Sequence, residues 1–154
     1  MDIEELLSED ELLNVLHANL SNVGGRSVEE VGAQLAIQVA VQSMPPGVMG
    51  FLSSELWNRF KREMKRLICT DDKRYAATRK KLTTLGTKSQ TAVVSTISVA
   101  VSPHLGISSG IAVTFCTLVL VAVAQVGKNA LCDDRDLNVK IKNGAKKATK
   151  KPSR

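Results

Sequence analysis

Aromatic side chains are scarce in this sequence: they make up 3% of 154 residues, and Phe51, Trp57, Phe60, Tyr75 and Phe115 are the full set. A protein that reads nucleic-acid bases by stacking needs flat side chains, so the scarcity argues against that class. It also counts, more weakly, against a full transmembrane protein, which often carries Trp and Tyr at its interfaces. Histidine is rarer still. His17 and His104 are far apart in sequence, and neither has a Cys or carboxylate at metal-ligand spacing. Cys69, Cys116 and Cys132 are odd in number and lack CxxC spacing. They read as small buried hydrophobes in a reducing compartment. The acidic N-terminus, with periodic rather than continuous apolar residues, does not resemble a signal peptide, so a cytosolic start is expected.

Catalytic patterns are missing as well. Gly24-Gly25-Arg26-Ser27 opens a helix but has no P-loop lysine and no preceding strand. Gly47-Val48-Met49-Gly50 has the glycine spacing of an RNA-binding KH loop, a match too short to carry weight. Asp133, Asp134 and Asp136 lack the length and glycine of a calcium loop. The expectation is a non-enzymatic protein with no cofactor, no metal and no small-molecule substrate.

One absence organises the chain. From Ser89 to Gly127, 39 residues pass without a Lys, Arg, Asp or Glu, although charged residues make up about a quarter of ordinary chains. The part from Leu105 to Val126 is apolar on every side of a helical wheel, so it belongs in lipid or in the middle of a core. As one helix its 22 residues would span about 33 Å, against about 30 Å of hydrocarbon. Its strongly apolar residues would favour insertion by only about 3 to 5 kcal/mol, and its Ser, Thr, Gln and Gly residues take back part of that.

The first half of the stretch, Thr91 to Val101, is rich in β-branched residues. Its alternation would suit a strand, but no second strand offers a partner, so helix is preferred. Ser102-Pro103-His104 is expected to divide the halves into a helical hairpin. Bases lie beyond both ends and none in the turn, the layout of a hairpin with both ends on the cytosolic side. Ser95, Ser98, Ser102 and the Gly106-x-x-x-Gly110 pair are the expected helix-packing residues, where two backbones approach closely. The arrangement resembles, in logic and without a shared motif, pore-forming bacterial toxins whose hydrophobic hairpin is sheathed by amphipathic helices.

What surrounds the hairpin is amphipathic and unevenly charged. The first 31 residues carry a balance of −7, and the remainder +13. Asp2 to Leu20 has apolar residues at three- and four-residue spacing, with a possible break at Ser8, where Ser8 and Glu11 fit a capping box. Val28 to Ser43 forms a second helix, expected to be more buried than the first, and Pro45-Pro46-Gly47 ends it. A third helix, about Val48 to Cys69, has Trp57 and Phe60 on its apolar stripe. Its other face carries Arg59, Lys61, Arg62, Lys65 and Arg66, which suits an anionic interface with the two rings dipping inward. A fourth helix, capped by Thr70 or Asp71, runs to about Leu85 and stops at Gly86. From Lys140 onward the chain is basic, includes Lys146, Lys147, Lys150 and Lys151, and is expected to be disordered when unbound.

The fold class read from these features is all-α: a bundle of about five to six helices around an apolar hairpin at 91–131. Residues 1–136 form a single helical domain, with amphipathic helices over 1–88, and 137–154 form a basic tail. The leading functional expectation is membrane association through the hairpin, resident or triggered. The partner would be anionic membrane lipid or another protein, and self-assembly into a homo-oligomer or pore is expected. The alternatives are a soluble helical interaction module and a non-specific binder of nucleic-acid backbones.

Overall fold

Ser8 shows how the local sequence sets the first elements. In the computed structural model, which describes residues 2–43, 49–86, 89–133 and 137–143, a 3-10 turn at Ile3–Leu6 stops before it. Its hydroxyl then accepts from the Glu11 amide to start α1 (Glu9–Asn19). The N-terminal amphipathic segment is therefore two pieces, with Ile3, Leu6, Leu12, Leu13 and Leu16 all turned to the core. Ser27 does the same for α2 (Val28–Ser43), accepting from the Glu30 amide at 3.0 Å. Beyond α3 (Met49–Cys69) a 3-10 turn, Lys73–Tyr75, is capped by Asp72 rather than by Thr70 or Asp71. It leads into α4 (Ala76–Leu85), which ends at Gly86 with φ +61°. There the absence of a Cβ allows the positive φ.

The uncharged stretch is helical throughout its first half. Helix α5 (Gln90–Leu105) starts on a Ser89 cap and runs past Pro103 instead of breaking there. The ring deprives only the Val99 carbonyl of its partner, and Val99 is 62% exposed, so water can serve it. The turn comes three residues later, at Gly106, whose φ of +69° lets both its own amide and that of Ile107 reach the Ser102 carbonyl. Helix α6 (Ser109–Val126) follows on a Ser108 cap, and Gly127 separates it from the single turn of α7 (Asn129–Cys132).

Among the described residues there are seven α-helices, with α6 at the centre. Helices α1, α2, α3, α5 and α7 all contact it, and every residue from Phe115 to Val123 is buried. Phe115 stacks against Trp57 of α3 and meets Phe60 at a tilt, with ring centroids 6.0 and 5.3 Å away. Helix α2 is less enclosed than its apolar composition suggests: Val28, Val31 and Ala36 are interior, but Ile37 is 49% exposed. Gly32 on α2 permits the close approach to α3, because a Cβ there would run into the Trp57 indole.

Two features depart from the sequence reading. Cys69 and Cys132 form a disulfide that ties the end of α3 to α7, while Cys116 alone is a free, buried thiol. The spacing of 63 residues between them leaves no local trace of the pairing. The expected basic tail also begins as part of the bundle. Residues 137–143 run antiparallel to the approach to α2, exchanging backbone hydrogen bonds with Gly25, Arg26, Val28 and Glu29. Leu137 and Ile141 are buried beneath them. The two apolar residues hold the segment down despite Lys140 and Lys142, whose side chains stay on the surface. The Pro45-Pro46-Gly47 stop, Asp134 and Asp136, and Lys146, Lys147, Lys150 and Lys151 lie outside the described residues.

Candidate functional site

The hairpin α5–α6 is the candidate site, and its dimensions differ from those of the raw stretch. Helix α6 has 18 residues with a mean hydropathy of 2.1. Its length is therefore about 27 Å, slightly short of a hydrocarbon core. By length and composition it is the one helix among the described residues that can cross a membrane, and 56% of it is buried inside the protein. Both properties follow from the same fact: a helix apolar on all sides needs a cover, and here the cover is protein.

Polar groups hold the two ends of the hairpin. At the base, the Gln90 side chain accepts from the Ser8 amide and donates to the Leu6 carbonyl at 2.8 Å. The Glu4 carboxylate accepts from the Lys128 amide at 2.6 Å, just beyond Gly127. Gln125 donates to the Lys140 carbonyl at 3.2 Å, and the Cys69–Cys132 bond fixes α7. At the tip, Arg59 donates to the His104 carbonyl at 3.4 Å, and the His104 ring meets Tyr75 edge-on at 5.5 Å. The tip is open to water: Pro103, His104, Gly106, Ser108, Ser109 and Gly110 are exposed.

The expected packing residues fall into two groups. Ser98 and Ser102 are buried on the inner side of α5, whereas Ser95 is on its outer side. Gly106 closes α5 as its cap, and a Cβ there would meet nothing within 4 Å. A Cβ on Gly110 would meet only the Ser108 hydroxyl, at 3.9 Å. Neither glycine mediates a helix contact among the described residues, so the five residues do not form one surface.

The basic face of α3 is largely engaged. Lys61 pairs with Glu29 at 2.8 Å, Arg66 with Glu63 at 3.0 Å, and Arg62 more loosely with Glu55 at 3.9 Å. Arg59 holds the hairpin tip, and Lys65 is half-buried. Trp57 and Phe60 are 3% and 0% exposed, so in this fold both rings belong to the core instead of an interface. They meet lipid only if α3 leaves α6.

Three polar clusters are invisible to spacing arguments. Glu29 accepts from the Trp57 indole at 2.8 Å, from Lys61 and from the Leu137 amide at 2.7 Å, joining α2, α3 and the C-terminal segment. Burial pushes its carboxyl up, but the hydrogen bonds from Lys61, Leu137 and Trp57 together outweigh this and hold it below the ordinary value. Glu63, buried, accepts from the Tyr75 hydroxyl and faces Arg66 and Arg74. Burial and the adjacent Glu63 carboxylate push the Tyr75 phenol upward, so it stays a neutral donor. Arg79 turns inward and caps α3, donating to the Leu67 and Asp72 carbonyls. Long-range partners of this kind arise from helix packing and leave no signal in local sequence.

Set against known proteins, the chain matches no family model, no curated protein and no solved structure. What the fold defines is a class only: an all-α bundle packed around the uncharged helix α6.

Proposed function

We propose that the protein acts at a membrane without catalysing a reaction, storing the α5–α6 hairpin inside a bundle and releasing it into lipid. The observation that carries this reading is the pairing of an enclosed α6 with an exposed, uncharged tip. A hairpin entering a bilayer tip-first must carry its turn across, and no Lys, Arg, Asp or Glu lies between Ser89 and Gly127 to oppose this, with His104 the one ionisable imidazole at the tip. The contacts restraining the hairpin are a few polar bonds at its ends, the Cys69–Cys132 bond through α7, and the apolar cover of α1, α2, α3 and α4. An amphipathic cover can exchange a protein core for a lipid interface. A short α6 and a first arm bearing hydroxyls favour insertion of several hairpins together, so that Ser95 and the exposed glycines find partners in neighbouring copies.

Dye release from vesicles containing anionic lipid tests this reading. Ser109→Glu is the informative variant. Ser109 is exposed at the first turn of α6, where a carboxylate suits the helix dipole and leaves the bundle intact. Carrying a charge with the turn through the bilayer centre opposes insertion by about 2.5 to 3.5 kcal/mol during the passage. Wild type is expected to release dye and resist a carbonate wash, while Ser109→Glu stays in the supernatant. If wild type neither releases dye nor resists the wash under acidic, reducing or anionic conditions, the stored-hairpin reading is wrong. The bundle is then a soluble interaction module whose acidic and basic surfaces meet a protein partner.

A further inference from the structure

Between Asp72 and Asp133 the chain holds no acidic residue at all, and the first part of that segment folds into two adjacent helices, α4 and α5. Helix α4 lies at the periphery, with Leu82 its one buried residue. Arg79 is turned inward to cap α3, and Arg74 pairs with Glu63 and Asp72. Lys73, Lys80 and Lys81 remain exposed and take part in no ion pair among the described residues, whereas the cations of α3 are largely engaged. Around Lys80 and Lys81 the exposed positions are Ala76, Ala77, Thr83 and Thr84. These side chains are too short to hold a flat surface away from the ammonium groups.

Helix α5 continues the same character. Its outward residues, Thr91, Ser95, Val99 and Pro103, recur every four positions and form one uncharged stripe. Val99 is among the most exposed large apolar side chains of the protein. The stripe leads to the open tip at Gly106–Gly110.

We propose that the α4–α5 face is the surface by which the folded bundle docks on an anionic lipid bilayer, with Lys73, Lys80 and Lys81 at headgroup phosphates and the Val99 stripe toward the interface. This deepens the membrane reading above and rests on it for the choice of lipid. A bilayer fits better than a nucleic acid because the helix that carries Lys80 and Lys81 packs against one whose exposed stripe is uncharged and partly apolar, without further bases or aromatic platforms. Docking here precedes release: it lays α5 against the surface with its tip already exposed.

The test is co-sedimentation of the intact chain with vesicles, phosphatidylcholine alone against phosphatidylcholine containing about one-third phosphatidylserine. Each surface lysine contributes about fivefold to partitioning. The triple variant Lys73→Gln/Lys80→Gln/Lys81→Gln is therefore expected to weaken binding to anionic vesicles about a hundredfold. A charge-matched control, Arg62→Gln/Lys140→Gln/Lys142→Gln, removes three exposed cations elsewhere and is expected to stay within about threefold of wild type. Equal losses in the two triples would mean that net charge, not this face, drives binding, and would overturn the proposal. An environment-sensitive dye on Val99→Cys is expected to shift to the blue on anionic vesicles; an unchanged spectrum also overturns it. Duplex DNA that binds wild type as tightly as the vesicles do, and loses affinity in the α4 triple, would reassign the face to phosphate backbones. Dye release read in parallel separates this from hairpin storage. Docking without release leaves the surface standing and removes the release step, while release undiminished in the α4 triple removes the surface.

Discussion

Removing the Glu29 carboxylate should loosen three parts of the molecule at once. The group accepts from the Trp57 indole on α3, from Lys61 and from the Leu137 amide of the C-terminal segment. In Glu29→Ala the indole and the amide lose their acceptor in partly buried surroundings, at about 1 to 1.5 kcal/mol each. Lys61 is 20% exposed at its side chain and can turn to water, so its loss is discounted to under about 1 kcal/mol. The sum is about 3 kcal/mol, a fall of about 6 to 12 °C in melting temperature for a chain of this size. Glu29→Gln keeps the shape and one carbonyl acceptor, and should lose about half as much.

The pH dependence has a definite sign. The folded-state pKa of Glu29 lies below its ordinary value of 4.5, so its stabilisation is fully present above the unfolded value. It is lost as pH falls through the lower folded value. Urea titrations of wild type and Glu29→Gln from pH 7 to pH 3 should therefore converge below about pH 4.5. A loss in Glu29→Ala below about 1 kcal/mol, or a gap between wild type and Glu29→Gln that does not narrow in acid, would refute the assignment of Glu29 as the joint.

Gly32→Ala places a methyl group against the Trp57 ring and should cost about 1 to 3 kcal/mol by chemical denaturation; an unchanged midpoint would mean that α2 and α3 are not in close contact. Cys132→Ser opens the ring closed by the Cys69–Cys132 bond, for which chain entropy gives about 4 kcal/mol. Wild type treated with a dithiol should melt at the same temperature as this variant, and reduction without any effect on melting would show that the bond does not form. Cys116 is buried in α6, so a thiol reagent should modify it only at the rate of opening, accelerating with urea. Instant labelling of the native protein would contradict the enclosure of α6.

The sequence by itself determined the helical class and the main boundaries. Ser8, Ser27 and Gly86 are local signals: a hydroxyl that satisfies an orphan amide, a residue that tolerates positive φ, each acting within a few positions. The same holds for the helical conformation of 91–101, where the lack of a partner strand decided against the β-branched composition. Pro103 misled because its effect depends on which side of the helix loses the hydrogen bond, and that side turned out to face water.

Tertiary structure alone decided everything that depends on which faces meet. It covered α6 with α1, α2 and α3, drew Trp57 and Phe60 from an expected interface into the core, and joined cysteines 63 residues apart. It neutralised much of the basic face of α3 through Glu29 and Glu63, while Lys80 and Lys81 on α4 stay exposed without an ion pair among the described residues. An apolar all-round helix carries the same composition in lipid or in protein, because both offer the same relief from water. Which cover it takes is a property of the amphipathic helices packed around it, set by contacts between residues distant in the chain.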